Sequence, residues 1–202
     1  MKKQVIVIHG GDSFNTYEQY LKFLRDWKIN FESYCLGKKD WKATLGERLG
    51  PDFEVIQPNM PNKQNAKYLE WKIWFEKFIP FLEPEVTLIG HSLGGLFLAK
   101  YLFENKFPRK IKGVFLVAAV YDYEDEHSYL ADFTLPKELS LFEKQANKIF
   151  LYHSKDDNVV PFADFEKYQN ELKGAVVRAF QDRGHFNQEE LPEIVKDIKS
   201  LY

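Results

Sequence analysis

The sequence predicts an α/β fold: one domain, a doubly wound and mostly parallel sheet, with helices on both faces. Three observations predict it. Short apolar runs alternate with amphipathic helical patterns along all 202 residues, the order that βαβ units leave in a chain. Several runs, 5–8 and 114–119 among them, are apolar at every position, as strands are when helices cover both sides of a sheet. The run 86–89 then passes through Gly90-His91-Ser92-Leu93-Gly94 directly into helix-forming residues, a sharp strand-to-helix turn.

Each element follows in order. Residues 4–8 are a first strand closed by His9-Gly10-Gly11, and Asp12 or Ser13 caps the helix behind it. That helix shows Tyr17, Tyr20, Leu21 and Leu24 at i, i+3, i+4 and i+7. Residues 29–40 read as irregular, and 41–49 as a short helix stopped by Gly50-Pro51. Residues 53–57 form a second strand. Residues 64–82 carry the longest helical pattern, with Trp71, Trp74, Phe75, Phe78 and Leu82 as a core stripe limited by Pro80 and Pro84. The third strand, 86–89, feeds a helix over 93–104 that is apolar nearly all round, the pattern of a buried central helix. A fourth strand at 111–120 leads into a polar, acidic stretch, 121–135, of the length of a lid. Strands at 148–153 and 175–180 flank a helix opened by Pro161. Leu191, Ile194, Val195, Ile198 and Leu201 make a closing helix. With no repeat or linker, residues 1–202 read as a single domain.

Composition excludes several classes of function. Lys plus Arg number 28 against 30 Asp plus Glu, so no charge excess favours nucleic acid or an anionic membrane. No stretch approaches the length of a membrane span. A single cysteine, Cys35, permits neither an internal disulfide nor a multi-cysteine metal site, and reads as a buried or incidental thiol. A cytoplasmic protein that acts on a small molecule is the expectation.

The chemistry gathers around Ser92. Gly90-His91-Ser92-Leu93-Gly94 has the G-x-S-x-G spacing of a turn that exposes a nucleophilic serine, since a Cβ two residues to either side would crowd it. Alone, the motif is equally a glycine-rich turn with an idle serine. In a doubly wound sheet, however, loops after the strands share one edge. The fifth strand ends in His153-Ser154-Lys155-Asp156-Asp157 and the sixth in Gln181-Asp182-Arg183-Gly184-His185. Topology thus brings an acid and a histidine to the edge of Ser92, in the order Ser, Asp, His of an α/β-hydrolase triad. His185 would act as base and acid, a carboxylate would hold its tautomer, and backbone N–H groups would receive the oxyanion. Those donors are expected at Leu93 and at Gly11, with Asp12 the alternative. Asp156 and Asp157 are adjacent, and the residues alone leave the choice of acid open. His91 lines or supports the site, His9 shapes its loop, and His153 is a packed neighbour. His127 and the acidic residues 122–126 read as a solvated loop rather than a metal site. No metal or cofactor is implied.

The segments H-G-G-D, G-H-S-L-G-G, S-K-D-D-N-V-V-P and D-R-G-H-F together resemble the small α/β-hydrolase family of retinoblastoma-binding protein nine and its bacterial relatives. The resemblance implies Ser92 as nucleophile, His185 as base, and Asp157, four residues before Pro161, as the triad acid with Asp156 second. Trp41 and Trp71 also stand where such proteins carry tryptophans. It implies a serine hydrolase; a carboxylesterase-like enzyme that cleaves an ester, thioester or amide through an acyl-enzyme is the expectation, and the many aromatics of the flanking segments suit a small apolar or aromatic acyl group. The alternative is a protein-binding scaffold with little turnover, because the family is named for a protein partner. One departure stands out: residues 14–38 intervene before the tryptophan-bearing helix, so either that segment or 121–135 is a candidate lid.

Overall fold

A computed structural model describes residues 2–37, 39–122, 130–136 and 138–202. Six strands, β1 (Lys3–Ile8), β2 (Phe53–Ile56), β3 (Glu85–His91), β4 (Lys110–Val117), β5 (Ile149–Ser154) and β6 (Val176–Phe180), form one sheet in the order β2-β1-β3-β4-β5-β6. Every neighbouring pair is parallel. The chain runs from β1 out to β2, then returns across β1 to β3 and continues outward. The order therefore reverses between β1 and β3, which opens a crevice at their carboxyl ends, where open α/β sheets bind ligands.

Helices α1 (Tyr17–Asp26), α2 (Phe31–Leu36), α3 (Trp41–Leu49), α4 (Tyr68–Glu76), α5 (Leu93–Glu104), α6 (Ser140–Glu143), α7 (Phe162–Glu171) and α8 (Pro192–Lys199) complete the fold. On one face α4, α5 and α7 bury Trp71, Phe75, Phe97, Tyr101 and Tyr168 against Ile6, Leu88, Val114 and Leu151. On the other, α3 and α8 bury Trp41, Leu45, Ile194 and Ile198 against Val5, Val7, Phe115 and Phe150. Phe115 and Phe150 stack with ring centroids 4.4 Å apart. Two covered faces account for the unbroken apolar runs in β1 and β4.

The predicted elements form, with four corrections. The 64–82 pattern is a nine-residue helix, α4, followed by a 3₁₀ turn at Ile79–Phe81. Its core line is Tyr68, Trp71 and Phe75, and Trp74 lies about a quarter turn away and is 40% exposed. Residues 29–40 hold α2, too short for periodicity to reveal. The cap of α1 is Thr16, whose side chain accepts from Gln19 N while Gln19 answers to the Thr16 N–H, a capping box. Asp12 and Ser13 are engaged elsewhere: Asp12 N–H donates to the Lys63 carbonyl (2.8 Å) and Ser13 Oγ to that of Ala66 (3.2 Å). Finally, α1 buries no residue, and Tyr17 is 64% and Leu24 45% exposed. Its aromatic contacts run within the segment, Phe14 to Phe23 and Phe23 to Trp27.

Candidate active site

Ser92 sits at φ 56°, ψ −124° between β3 and α5, a left-handed conformation that costs energy for a residue with a Cβ and points the side chain out of the turn. The flanking glycines are required by close approach. A Cβ on Gly90 would lie 2.4 Å from the Gly94 carbonyl oxygen, and one on Gly94 would lie 2.4 Å from that of Ile8. Because Ile8 pairs with Gly90 across the sheet, the loop after β1 runs beside the turn. A Cβ on Gly10 would come within 2.9 Å of Ser92 Cβ.

The loops after β5 and β6 meet at the same edge. His185 Nδ1 lies 2.9 Å from Asp157 Oδ2. A carboxylate only accepts, so Nδ1 carries the hydrogen and Nε2 keeps a lone pair for a proton. The other Asp157 oxygen accepts from Val159 N (2.8 Å) and Val160 N (3.0 Å), and the side chain is fully buried. Burial pushes its pKa up, but the hydrogen bond from His185 and the two backbone N–H groups outweigh that and hold it below the usual carboxylate range. Asp156 makes no hydrogen bond to the imidazole among the described residues. Its Oδ1 accepts from Ser154 Oγ (2.5 Å) and Gly184 N (2.9 Å), and Ser154 Oγ in turn accepts from Arg183 N (2.9 Å). Asp156 thus ties down the approach to His185.

Ser92 Oγ makes no hydrogen bond to another described residue. Its link to His185 runs through the neighbouring backbone: His91 Nε2 lies 2.9 Å from the His185 carbonyl oxygen, and the two rings are 4.8 Å apart. Among the described residues, neither the Leu93 nor the Gly11 N–H is taken by an acceptor, whereas that of Asp12 is bound to Lys63. Asp12 is exposed as a residue, yet partial burial of its carboxyl raises its pKa. Between α1 and the segment fastened to this loop lies a hollow of about 220 Å³ lined by Tyr20, Asn62, Gln64, Asn65, Lys67 and Glu70.

His9 accepts from Met60 N at Nε2 (2.9 Å) and has Nδ1 2.7 Å from the Gly10 carbonyl oxygen, so it shapes its loop. His153 has Nε2 3.0 Å from the Val160 carbonyl oxygen and 3.8 Å from Asp157, a packed neighbour of the acid. Lys42, absent from the sequence candidates, reaches His91 Nδ1 at 3.4 Å. Cys35 is exposed. His127 and residues 123–126 lie outside the described residues, as does much of the 121–135 candidate lid. Among the described residues no group of three or more His, Cys, Asp or Glu could hold a metal ion, and no helix is long and apolar enough to cross a membrane.

These burials fix a pH dependence. Burial holds the imidazoles of His9, His91 and His153 below their ordinary pKa, so the fold resists protons that the unfolded chain takes up below about pH 6.5. Their contribution is complete above that pH and is lost progressively as pH falls toward the depressed folded values. Asp164 opposes it, since burial lifts its pKa to about 6 and the folded chain gains a proton between there and the unfolded value near 3.9. Burial raises the pKa of the Asp12 carboxyl as well, so three groups stand against two, and the predicted melting temperature falls between pH 7 and pH 5. In Asp164→Asn the fall steepens, which thermal melts across that range check.

A family model described as serine hydrolase matches residues 36–194. The serine hydrolase RBBP9 of Rattus norvegicus is 26% identical over 159 residues, which cover 75% of this chain and 79% of that protein. YdeN of Bacillus subtilis is 25% identical over the whole chain and 97% of its own length. The crystal structure of the B. subtilis ydeN gene product superposes with a TM-score of 0.78 over 99% of this chain and 98% of that one, at 22% identity. A monoacylglycerol lipase from Paleococcus ferrophilus gives 0.60 over 98% and 95%, at 17% identity. The fold is that of the α/β hydrolases.

Proposed function

We propose that this chain, which belongs to the serine hydrolase family, cleaves an ester, thioester or amide through an acyl-enzyme on Ser92. The observation that carries the reading is the Asp157–His185 hydrogen bond of 2.9 Å, on the loops that flank the strained Ser92 turn. Ser92 Oγ attacks the acyl carbon as His185 Nε2 takes its proton, and Asp157 holds the opposite Nδ1–H and stabilises the imidazolium. The oxyanion is received by the Leu93 N–H, at the N-terminus of α5, and by that of Gly11. His185 then protonates the leaving group, and water repeats the sequence on the acyl-enzyme. In this reading the hydrogen bond from Ser92 Oγ to His185 Nε2 forms when substrate binds, since catalytic hydrogen bonds close in the substrate complex.

Within this reading the enzyme is carboxylesterase-like, and the acyl group is small and apolar or aromatic, on the aromatic content of the flanking segments. No cofactor enters the scheme. A cytoplasmic site of action is part of the proposal, on the single cysteine. A protein-binding role is the second reading, favoured by the exposure of Tyr17, Trp27, Ile29 and Phe31. Turnover of p-nitrophenyl esters by the wild type and Ser92→Ala separates the two. The hydrolase reading expects a loss of ~10³-fold or more in kcat, and equal rates would sink it.

A further inference from the structure

We propose that Lys42, acting through His91, is a positioning residue for the base His185. The proposal rests on the hydrolase reading above for its effect on rate, and on geometry for the contact itself. Lys42 lies in the first turn of α3, with its side chain 11% exposed and its Nζ 2.5 Å from Asp40 Oδ2. Burial of an ammonium is costly unless its donors are used. Asp40 takes one and His91 Nδ1, at 3.4 Å, takes another.

His91 is held from both ends. The His185 carbonyl can only accept, so Nε2 carries the hydrogen; the ammonium can only donate, so Nδ1 keeps a lone pair. Both partners demand the same neutral tautomer. The other tautomer would turn a lone pair on the carbonyl and an N–H on the ammonium, and an imidazolium would set two cations together. Burial, then the charges of Lys42, His185 and His9, all oppose protonation of His91. The order Asp40, Lys42, His91, His185 carbonyl is therefore a directed chain of donors and acceptors that ends on the backbone of the base.

The same turn of α3 grips the rest of that loop. Trp41 Nε1 donates to the Phe186 carbonyl (2.9 Å), Trp41 N to that of Gln188 (2.7 Å) and Thr44 Oγ1 to that of Glu189 (2.8 Å). Phe186 itself sits at φ 53°, a strained conformation that persists only when its surroundings impose it. Trp41 and Thr44 explain why the loop is there. Lys42 adds the one thing they do not, a charge that selects the tautomer of His91. A base displaced by about 1 Å can lose ~10²-fold in rate, so a modest release of the His185 backbone has a measurable cost.

The experiment is Lys42→Met, which keeps the apolar stem and removes the charge, with Lys42→Arg as the conservative variant. Ester hydrolysis should lose about tenfold in kcat with KM changed less than about twofold, and Lys42→Arg should recover most of it. The imidazole ¹⁵N signals of His91 should report the neutral Nε2–H form from pH 5.5 to 8 in the wild type, and a mixed or protonating ring in Lys42→Met. Lys42→Gln, neutral and too short to reach His91, should behave as Lys42→Met does and serves if that variant does not fold. A lowered melting temperature with unchanged kcat and unchanged His91 signals would overturn the proposal and leave Lys42 a packing residue. Absence of any hydrolysis in the wild type would count against the hydrolase reading alone, because the His91 signals test the contact independently.

Discussion

Asp157→Asn lowers kcat for ester hydrolysis by about 10³–10⁴-fold, whereas Asp156→Asn costs no more than about tenfold. The two residues are adjacent, but their bonds differ in kind. Asp157 receives the Nδ1–H of His185 on one oxygen and two backbone N–H groups on the other. If the amide oxygen keeps the two backbone bonds, its NH₂ faces His185 and turns the imidazole to the wrong tautomer, with no lone pair at Nε2 for the serine proton. Asp156 uses one oxygen for both Ser154 Oγ and Gly184 N, and an amide oxygen accepts both equally well. What it loses is the charge that strengthens these bonds. Steady-state kinetics on the two variants, with circular dichroism to confirm folding, make the comparison. The reverse ranking would move the acid to Asp156.

Gly94→Ala destabilises the fold by about 3 kcal/mol, the upper end for overpacking a rigid site. A Cβ at Gly94 meets the carbonyl oxygens of Ile8 and His9 at 2.4 and 2.6 Å, and neither is a side chain that can rotate away. Those carbonyls belong to the end of β1 and the loop that carries Gly11, so relief of the clash also pulls that loop from Ser92. In a chain of this size such a loss lowers the melting temperature by roughly 6–12 °C. Gly46→Ala is the matched control. It lies inside α3 with only the Val55 side chain near, at 3.7 Å, so alanine there is expected to stabilise by about 0.5–1 kcal/mol. Opposite signs at two helical glycines would show that approach of backbone, not helix propensity, dictates the residue in the Ser92 turn.

Legibility in the sequence followed the hardness of the local signals. The bounds of α3 and α5 coincide with expectation, because Gly50-Pro51 stops one helix and the Gly90–Gly94 turn starts the other. The bounds of α4 do not, because an aromatic stripe continues past the helix into the turn around Pro80, where spacing no longer measures burial. The α1 cap was misplaced from Thr16 to Asp12 or Ser13, whose backbone and hydroxyl are bound by Lys63 and Ala66. Such partners, about fifty residues away in the chain, leave no local mark. That the loops bearing Ser92, Asp157 and His185 share one edge was readable because, in a parallel sheet, the loops after all the strands leave on the same side. The contact of Lys42 with His91 was not, since it joins a helix on one face to the end of β3 and has no spacing of its own.

The central claim is that Ser92 is the nucleophile, and the most direct measurement of it is covalent. The folded protein is incubated with a fluorophosphonate at neutral pH, and the adduct is mapped by peptide mass spectrometry. The account predicts one adduct, on Ser92, absent from Ser92→Ala and formed far more slowly in Asp157→Asn. An unmodified Ser92 in the folded wild type, or an adduct on another residue, would contradict it.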